Sequence, residues 1–176
     1  FLEITMRTAI VALIFTLILQ NTVSSNEEKL LNSFKLIGTG NLKVFMWDIY
    51  DVQLLSAEEP FSRNNSLILI FDHKRNLSKE KIVESSLTEI KKQNVADENM
   101  ILDWRSVLQR CIQPVQKGSK PYVHWTPEGK ITFFYENTKT CSVNNKQFSN
   151  AFIDIWLGKN TSRPKLREEL LGITKP

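Results

Sequence analysis

The stretch from Phe148 to Gly172, FSNAFIDIWLGKNTSRPKLREELLG, constrains the fold more than any other part of this chain. Phe148, Ala151, Phe152, Ile155 and Trp156 recur at three-and-four spacing, which predicts an amphipathic helix with a wide aromatic stripe. Asn144 is its expected N-cap, Gln147 completes a capping box, Val143 and Phe148 form the staple, and Gly158 is the expected left-handed stop. A second helix is expected to open on a Ser162 cap with Pro164 in its first turn, to run through Leu166, Leu170 and Leu171, and to end at Gly172. Two short helices cannot hold so much apolar surface alone. They need a broad partner layer, and the only material for it is a sheet made from the earlier chain.

That earlier chain reads as strands. The segment FKLIGTGNLKVFMWDIYDVQLLSAEEP predicts two of them, joined by a turn at Gly38 to Asn41, with Leu42 to Leu55 as one long central strand covered on both faces. Leu42, Val44, Met46, Val52 and Leu54 share a parity with Asp48 and Tyr50, so two polar groups interrupt an apolar row. Either a bulge shifts the phase and turns Asp48 outward, or Asp48 and Tyr50 are convergent polar groups in an apolar pocket. Ser66 to Lys74 is the next strand.

Ser78 caps a helix with Ile82, Val83, Leu87 and Ile90 on one stripe, and Leu77 with Ile82 as its staple. Asp97 caps a second helix that carries Met100, Ile101, Trp104, Val107, Leu108 and Cys111. Strands then run from Tyr122 to Thr126 and from Lys130 to Tyr135 around a Pro127-Glu128-Gly129 turn, with a further short strand through Cys141. Strands, two helices, strands and two helices make an α+β domain: an antiparallel sheet with helices packed on one face.

At the N-terminus, Met6 and Arg7 read as the start and positive region of a secretory signal peptide. The apolar run is Ala9 to Leu19, with Val23, Ser24 and Ser25 before the cleavage site, and the five residues ahead of Met6 are read as lying upstream of the start. That run is shorter than the roughly 20 residues that cross a bilayer, so cleavage is preferred over a membrane anchor. The expected organisation is residues 1–25 as signal peptide and 26–176 as one domain, periplasmic or secreted, with no stable membrane insertion. The chain of 176 residues carries a net charge of +4, with its basic residues mixed among acids as in KEKIVESSLTEIKK. No cluster tracks a phosphate backbone, which argues against a nucleic-acid partner.

Few residues suggest chemistry. His73 and His124 have no His or Cys at ligand spacing, so no metal or other cofactor is expected. Gly38-Thr39-Gly40 lacks the third glycine and following helix of a dinucleotide loop, and no nucleophile elbow is present. Cys111 and Cys141 would be free to bridge outside the cytosol, but the position of Cys111 on an apolar stripe favours a buried free thiol.

The tail with its IWLG and LREELLG pieces, the Pro114 to Gly118 element and the GTG–LKVFMWDIYDVQLL strand pair together resemble the chalcone isomerase-like family, and most closely its exported bacterial members. The match runs from about Phe34 to Gly172. The resemblance implies an open-faced β-sandwich with a ligand cleft between a long antiparallel sheet and its helices. Family enzymes close chalcones to flavanones, using an Arg near the first strand turn and a Thr and a Tyr on neighbouring strands. Non-catalytic relatives hold a fatty-acid carboxylate with an Arg and a Tyr.

Here the turn GTGN has no Arg, with Asn41 and Lys43 the nearest polar residues. Asp48 stands where the enzymes carry Thr, and Tyr50 matches the Tyr. The preferred reading is a non-catalytic binder of a fatty acid or aromatic small molecule, with Lys43, Asp48 and Tyr50 as candidate contacts. The alternatives are an isomerase (an intramolecular lyase) with a rearranged site and Asp48 as general base, and an interaction module whose cleft is filled by side chains.

Overall fold

A computed structural model describes residues 29–173. The expected signal peptide at residues 1–25 lies outside the described residues. The chain divides at Ser33 and Phe34 into two compact units, and of the first only a helical turn at residues 29–32 is described.

The second unit is a six-stranded antiparallel meander. Its strands are β1 (Lys35–Val44), β2 (Trp47–Ser56), β3 (Leu67–His73), β4 (Tyr122–Trp125), β5 (Lys130–Tyr135) and β6 (Thr138–Asn144), and they lie side by side in chain order. Helices α1 (Lys79–Lys92) and α2 (Glu98–Cys111) fall between β3 and β4, and α3 (Lys146–Leu157) and α4 (Pro164–Leu170) follow β6. This is the expected α+β open-faced architecture.

Alternation along the strands builds the core. Val52, Leu54, Leu67, Leu69, Phe71, Val123, Trp125, Ile131 and Phe133 face the helices, which answer with Leu87, Ile90, Trp104, Leu108, Phe148 and Phe152. Both caps expected between β3 and β4 are present: Ser78 accepts from Lys81 N at 3.2 Å and Asp97 accepts from Met100 N at 2.9 Å. The stripe on α3 is buried as expected, and Trp104 lies edge-on to Phe148 with ring centroids 5.7 Å apart.

The strand pair departs from expectation. The chain does not turn at Gly38 to Asn41; it turns at Phe45-Met46, so β1 is an edge strand and the long strand is in fact a hairpin. The glycines serve α4, which packs across β1. A Cβ on Gly38 would collide with the carbonyl oxygens of Glu169 and Leu170, and one on Gly40 with the Leu166 side chain. Close approach, not turn geometry, requires glycine there.

Local signals at the last two helices were displaced by one residue or overridden. Asn145, not Asn144, caps α3 by accepting from Phe148 N at 3.0 Å, while Gln147 donates to Val95 O at 3.1 Å instead of closing a capping box. Gly158 has φ −68°, so it is no left-handed stop; Asp154 crowds its Cβ position. Gly172, at φ 64°, is. Ser162 does not cap α4. Its hydroxyl bonds Glu89 on α1, and Arg163 occupies the cap position without a side-chain bond.

Cys111 and Cys141 form a disulfide, which corrects the free-thiol preference. The β5–β6 hairpin turns through Glu136 and Asn137, both at positive φ, and sets Cys141 opposite Phe133 on the helix-facing side. That places it against the end of α2, where Thr140 Oγ1 also donates to Cys111 O at 3.0 Å.

Candidate functional site

Between sheet and helices lies a cavity of about 950 Å³, at the upper end of the roughly 300–1,000 Å³ usual for ligand sites. Its floor is Tyr50, Phe71, His73 and Phe133 from the sheet. Its walls are Ile82, Ser86 and Glu89 of α1, Phe152, Ile155 and Trp156 of α3, and Arg163 with Leu166 at the start of α4. The expected cleft is therefore present, and it is largely apolar with a few polar groups gathered around one tyrosine.

The β2–β3 register sets Tyr50 directly opposite His73, and α3 lays Trp156 over both Phe71 and Tyr50. Trp156 Nε1–H donates to Tyr50 Oη at 2.8 Å, so the hydroxyl accepts one bond and keeps its own proton to give. The Tyr50 ring stands edge-on to Phe71 and His73, with centroids 5.4 and 5.6 Å away. Burial pushes the Tyr50 hydroxyl up to about 12, against the opposing effects of the Trp156 bond and the Arg163 charge, so it is a neutral donor at ordinary pH. His73 is buried and its pKa is pushed down to about 4, chiefly by desolvation, with Asp72 acting weakly in the other direction. It is a neutral imidazole whose Nδ1 has no hydrogen-bond partner among the described residues.

A cation reaches the site from α4. Arg163 lines the cavity and its charge acts on both Tyr50 and Glu89. Partial burial resists ionisation of Glu89, but bonds from Lys92 at 2.7 Å and Ser162 at 2.5 Å outweigh it and hold the carboxyl below its usual range. The Ser162–Glu89 bond also ties the loop before Arg163 to α1, and Thr161 Oγ1 ties it to the end of α3 by donating to Ile155 O at 2.6 Å.

Of the three residues expected at the site, the structure brings only Tyr50 to the cavity. Lys43 and Asp48 pair with each other across the hairpin at 3.4 Å, with side chains 62% and 49% exposed, and neither lines the cavity. A register shift between Leu42 and Lys43 is the reason: it leaves Ile49 without a partner on β1, so Tyr50 faces the helices while Asp48 turns away. Of the two explanations for the interrupted apolar row, the bulge describes Asp48 and the pocket describes Tyr50. Sequence reading missed His73, Trp156 and Arg163 as site residues. Trp156 looked like core, His73 like a strand end, and the search for a cation stopped at the first strand turn.

Comparison with known proteins agrees with this geometry. A family model described as chalcone isomerase-like matches residues 16–172. No curated protein matches the sequence. Among solved structures, that of an Arabidopsis thaliana fatty-acid binding protein aligns with a TM-score of 0.60 at 14% identity, covering 79% of this chain and 87% of that one. At that identity the likeness establishes the fold.

Proposed function

This chain belongs to the chalcone isomerase-like family, and on that premise we propose that it is a non-catalytic binding protein for a long-chain fatty acid. The acyl chain lies among the aromatic and aliphatic walls of the cavity, and the carboxylate sits between the Tyr50 hydroxyl and the Arg163 guanidinium. The observation that carries this reading is the Tyr50 hydroxyl. It is desolvated and neutral, it accepts from Trp156, and its proton remains available to an acceptor entering the cavity. A ligand carboxylate is such an acceptor, and charge-assisted bonds of this type are roughly twice as strong as neutral ones. The outward position of Asp48 supports binding over the isomerase alternative, which needs that carboxylate inside the cavity.

The test is a displacement titration of the purified protein with palmitate and with methyl palmitate. Palmitate binds more tightly than its ester, and Tyr50→Phe or Arg163→Ala weakens palmitate by about tenfold or more while hardly affecting the ester. Equal affinity for acid and ester, or no saturable binding of either, overturns the reading. Export to the periplasm or medium belongs to the same proposal and rests on the Met6 to Ser25 pattern; mass spectrometry of the mature protein checks it by locating the new N-terminus near Asn26.

A further inference from the structure

The β1–β2 hairpin ends in a feature that folding does not require. Its two-residue loop is Phe45-Met46, 96% and 90% exposed, followed by Trp47 at 58%. Phe45 has φ 55°. A positive φ at the first of two loop residues is the position that tight hairpin turns reserve for glycine, so a bulky aromatic there is strained. The β5–β6 hairpin of the same sheet makes its two-residue turn with Glu136 and Asn137, so an apolar tip is no demand of the fold. Strain held at an exposed apolar position points to a function for the side chain itself.

The tip also has a defined neighbourhood. Phe45 and Trp47 form part of the cavity rim, together with Arg75, Lys81 and Lys117. The Arg75 guanidinium lies 4.2 Å from the centroid of the Trp47 ring, and Lys43 stands at the base of the tip paired with Asp48. Lys74 beside Arg75 is paired with Asp51 and Asp72, so five basic residues stand around the tip against three carboxylates. Aromatic side chains at a protruding turn with this excess of cations complement the negative surface and shallow apolar layer of an anionic bilayer.

We infer that the Phe45-Met46-Trp47 tip inserts into the interfacial layer of an anionic phospholipid membrane, with Arg75, Lys81 and Lys117 on its headgroups. This sets the cavity mouth against the bilayer, where acyl ligands enter or leave. The transfer step rests on the fatty-acid reading above; the docking itself does not.

Vesicle flotation of the chain processed near Asn26, as proposed above, tests the inference, using phosphatidylcholine vesicles with and without phosphatidylglycerol. The unmodified chain floats with anionic vesicles and much less with neutral ones. Phe45→Gly with Met46→Ser lowers partitioning at least about tenfold, and the glycine removes backbone strain, so the variant folds at least as well. Arg75→Ala with Lys81→Ala lowers it about fivefold per cation removed. Palmitate binding in detergent-free solution, measured on the same samples, separates the two readings: vesicle binding lost with palmitate binding kept supports the tip as the docking element, and vesicle binding without palmitate binding supports it while sinking the cavity reading. Unchanged flotation of the tip variant overturns the inference. So does a concentration-dependent dimer that the same substitutions abolish, because the tip would then be a contact between copies.

Discussion

Replacing Gly38 by alanine tests the packing that holds the site's cation in place. Gly38 lies within β1 at ordinary backbone angles, where alanine would by itself favour folding by about 0.5–1 kcal/mol through its lower chain entropy. Against that, the new Cβ would overlap the Glu169 and Leu170 carbonyl oxygens and lie 2.8 Å from the Leu170 carbonyl carbon. These are backbone atoms of α4 and cannot rotate away, so the helix must lift. Leu166 and Leu170 hold α4 down, at 5% and 0% exposure, and full burial of each contributes roughly 1.5–3 kcal/mol. A lift of about 1 Å forfeits a quarter to a half of their contact energy, about 1–3 kcal/mol, and the gap it opens roughly offsets the alanine gain, for a net cost of about 1–3 kcal/mol. Gly40→Ala meets only the Leu166 methyl and the Glu169 side chain, which can move, so it costs about 1 kcal/mol. Urea unfolding measures both. Palmitate affinity should fall further for Gly38→Ala, because α4 carries Leu166 and follows Arg163. A Gly38→Ala protein as stable as the parent, or a Gly40→Ala protein that is the less stable of the two, refutes the reasoning.

Opening the disulfide has a calculable effect. Cys111 and Cys141 are 30 residues apart, for which loop-closure entropy gives about 3.5–4 kcal/mol, so the Cys111→Ala/Cys141→Ala protein should show an unfolding free energy in urea lowered by that amount and a midpoint no longer sensitive to reductant. Stability should also depend on pH through His73. Its pKa falls from an ordinary 6.5 to about 4 on folding, so between those values the unfolded chain binds the extra proton; the cost of the neutral buried ring is absent above pH 6.5 and grows to about 3 kcal/mol as pH falls toward 4. Chemical denaturation of the parent and of His73→Gln across that range checks this, and parallel pH profiles would contradict it. Trp156→Phe should leave Tyr50 without its donor and weaken palmitate binding several-fold, with the loss read by the same displacement titration.

What the sequence disclosed divides by the range of the interaction. Ser78 and Asp97 were legible because a cap is a contact between residues three apart. The stripe of α3 and the Pro127-Glu128-Gly129 hairpin were legible for the same reason. The Phe45-Met46 turn was hidden, since nothing in that dipeptide announces a turn and the strands on either side read as one. The opposite charges of Lys43 and Asp48, set symmetrically about it, were the available signal of cross-strand pairing. Gly38 and Gly40 misled because a glycine in a strand signals either a turn or a close neighbour, and the neighbour, α4, lies more than a hundred residues further along the chain.

The same distance hid the cation. The family pattern places its arginine near the first strand turn, and in its absence Asn41 and Lys43 were the nearest polar residues there. In the folded chain the meander carries Tyr50 beneath α3, Trp156 closes over it, and the turn after α3 delivers Arg163 to the same cavity. A pocket needs positive charge at a place in space, and any segment that arrives there can supply it. The bonds from Ser162 to Glu89 and from Thr161 to Ile155 fix that segment at both of its helical neighbours, which is the expense in ordered side chains that a solvent-facing arginine on a free loop would not require. Cutting one of these ties by Ser162→Ala, while leaving Arg163 itself in place, should therefore weaken palmitate and spare methyl palmitate. If both ligands are unaffected, the position of Arg163 is incidental to the site.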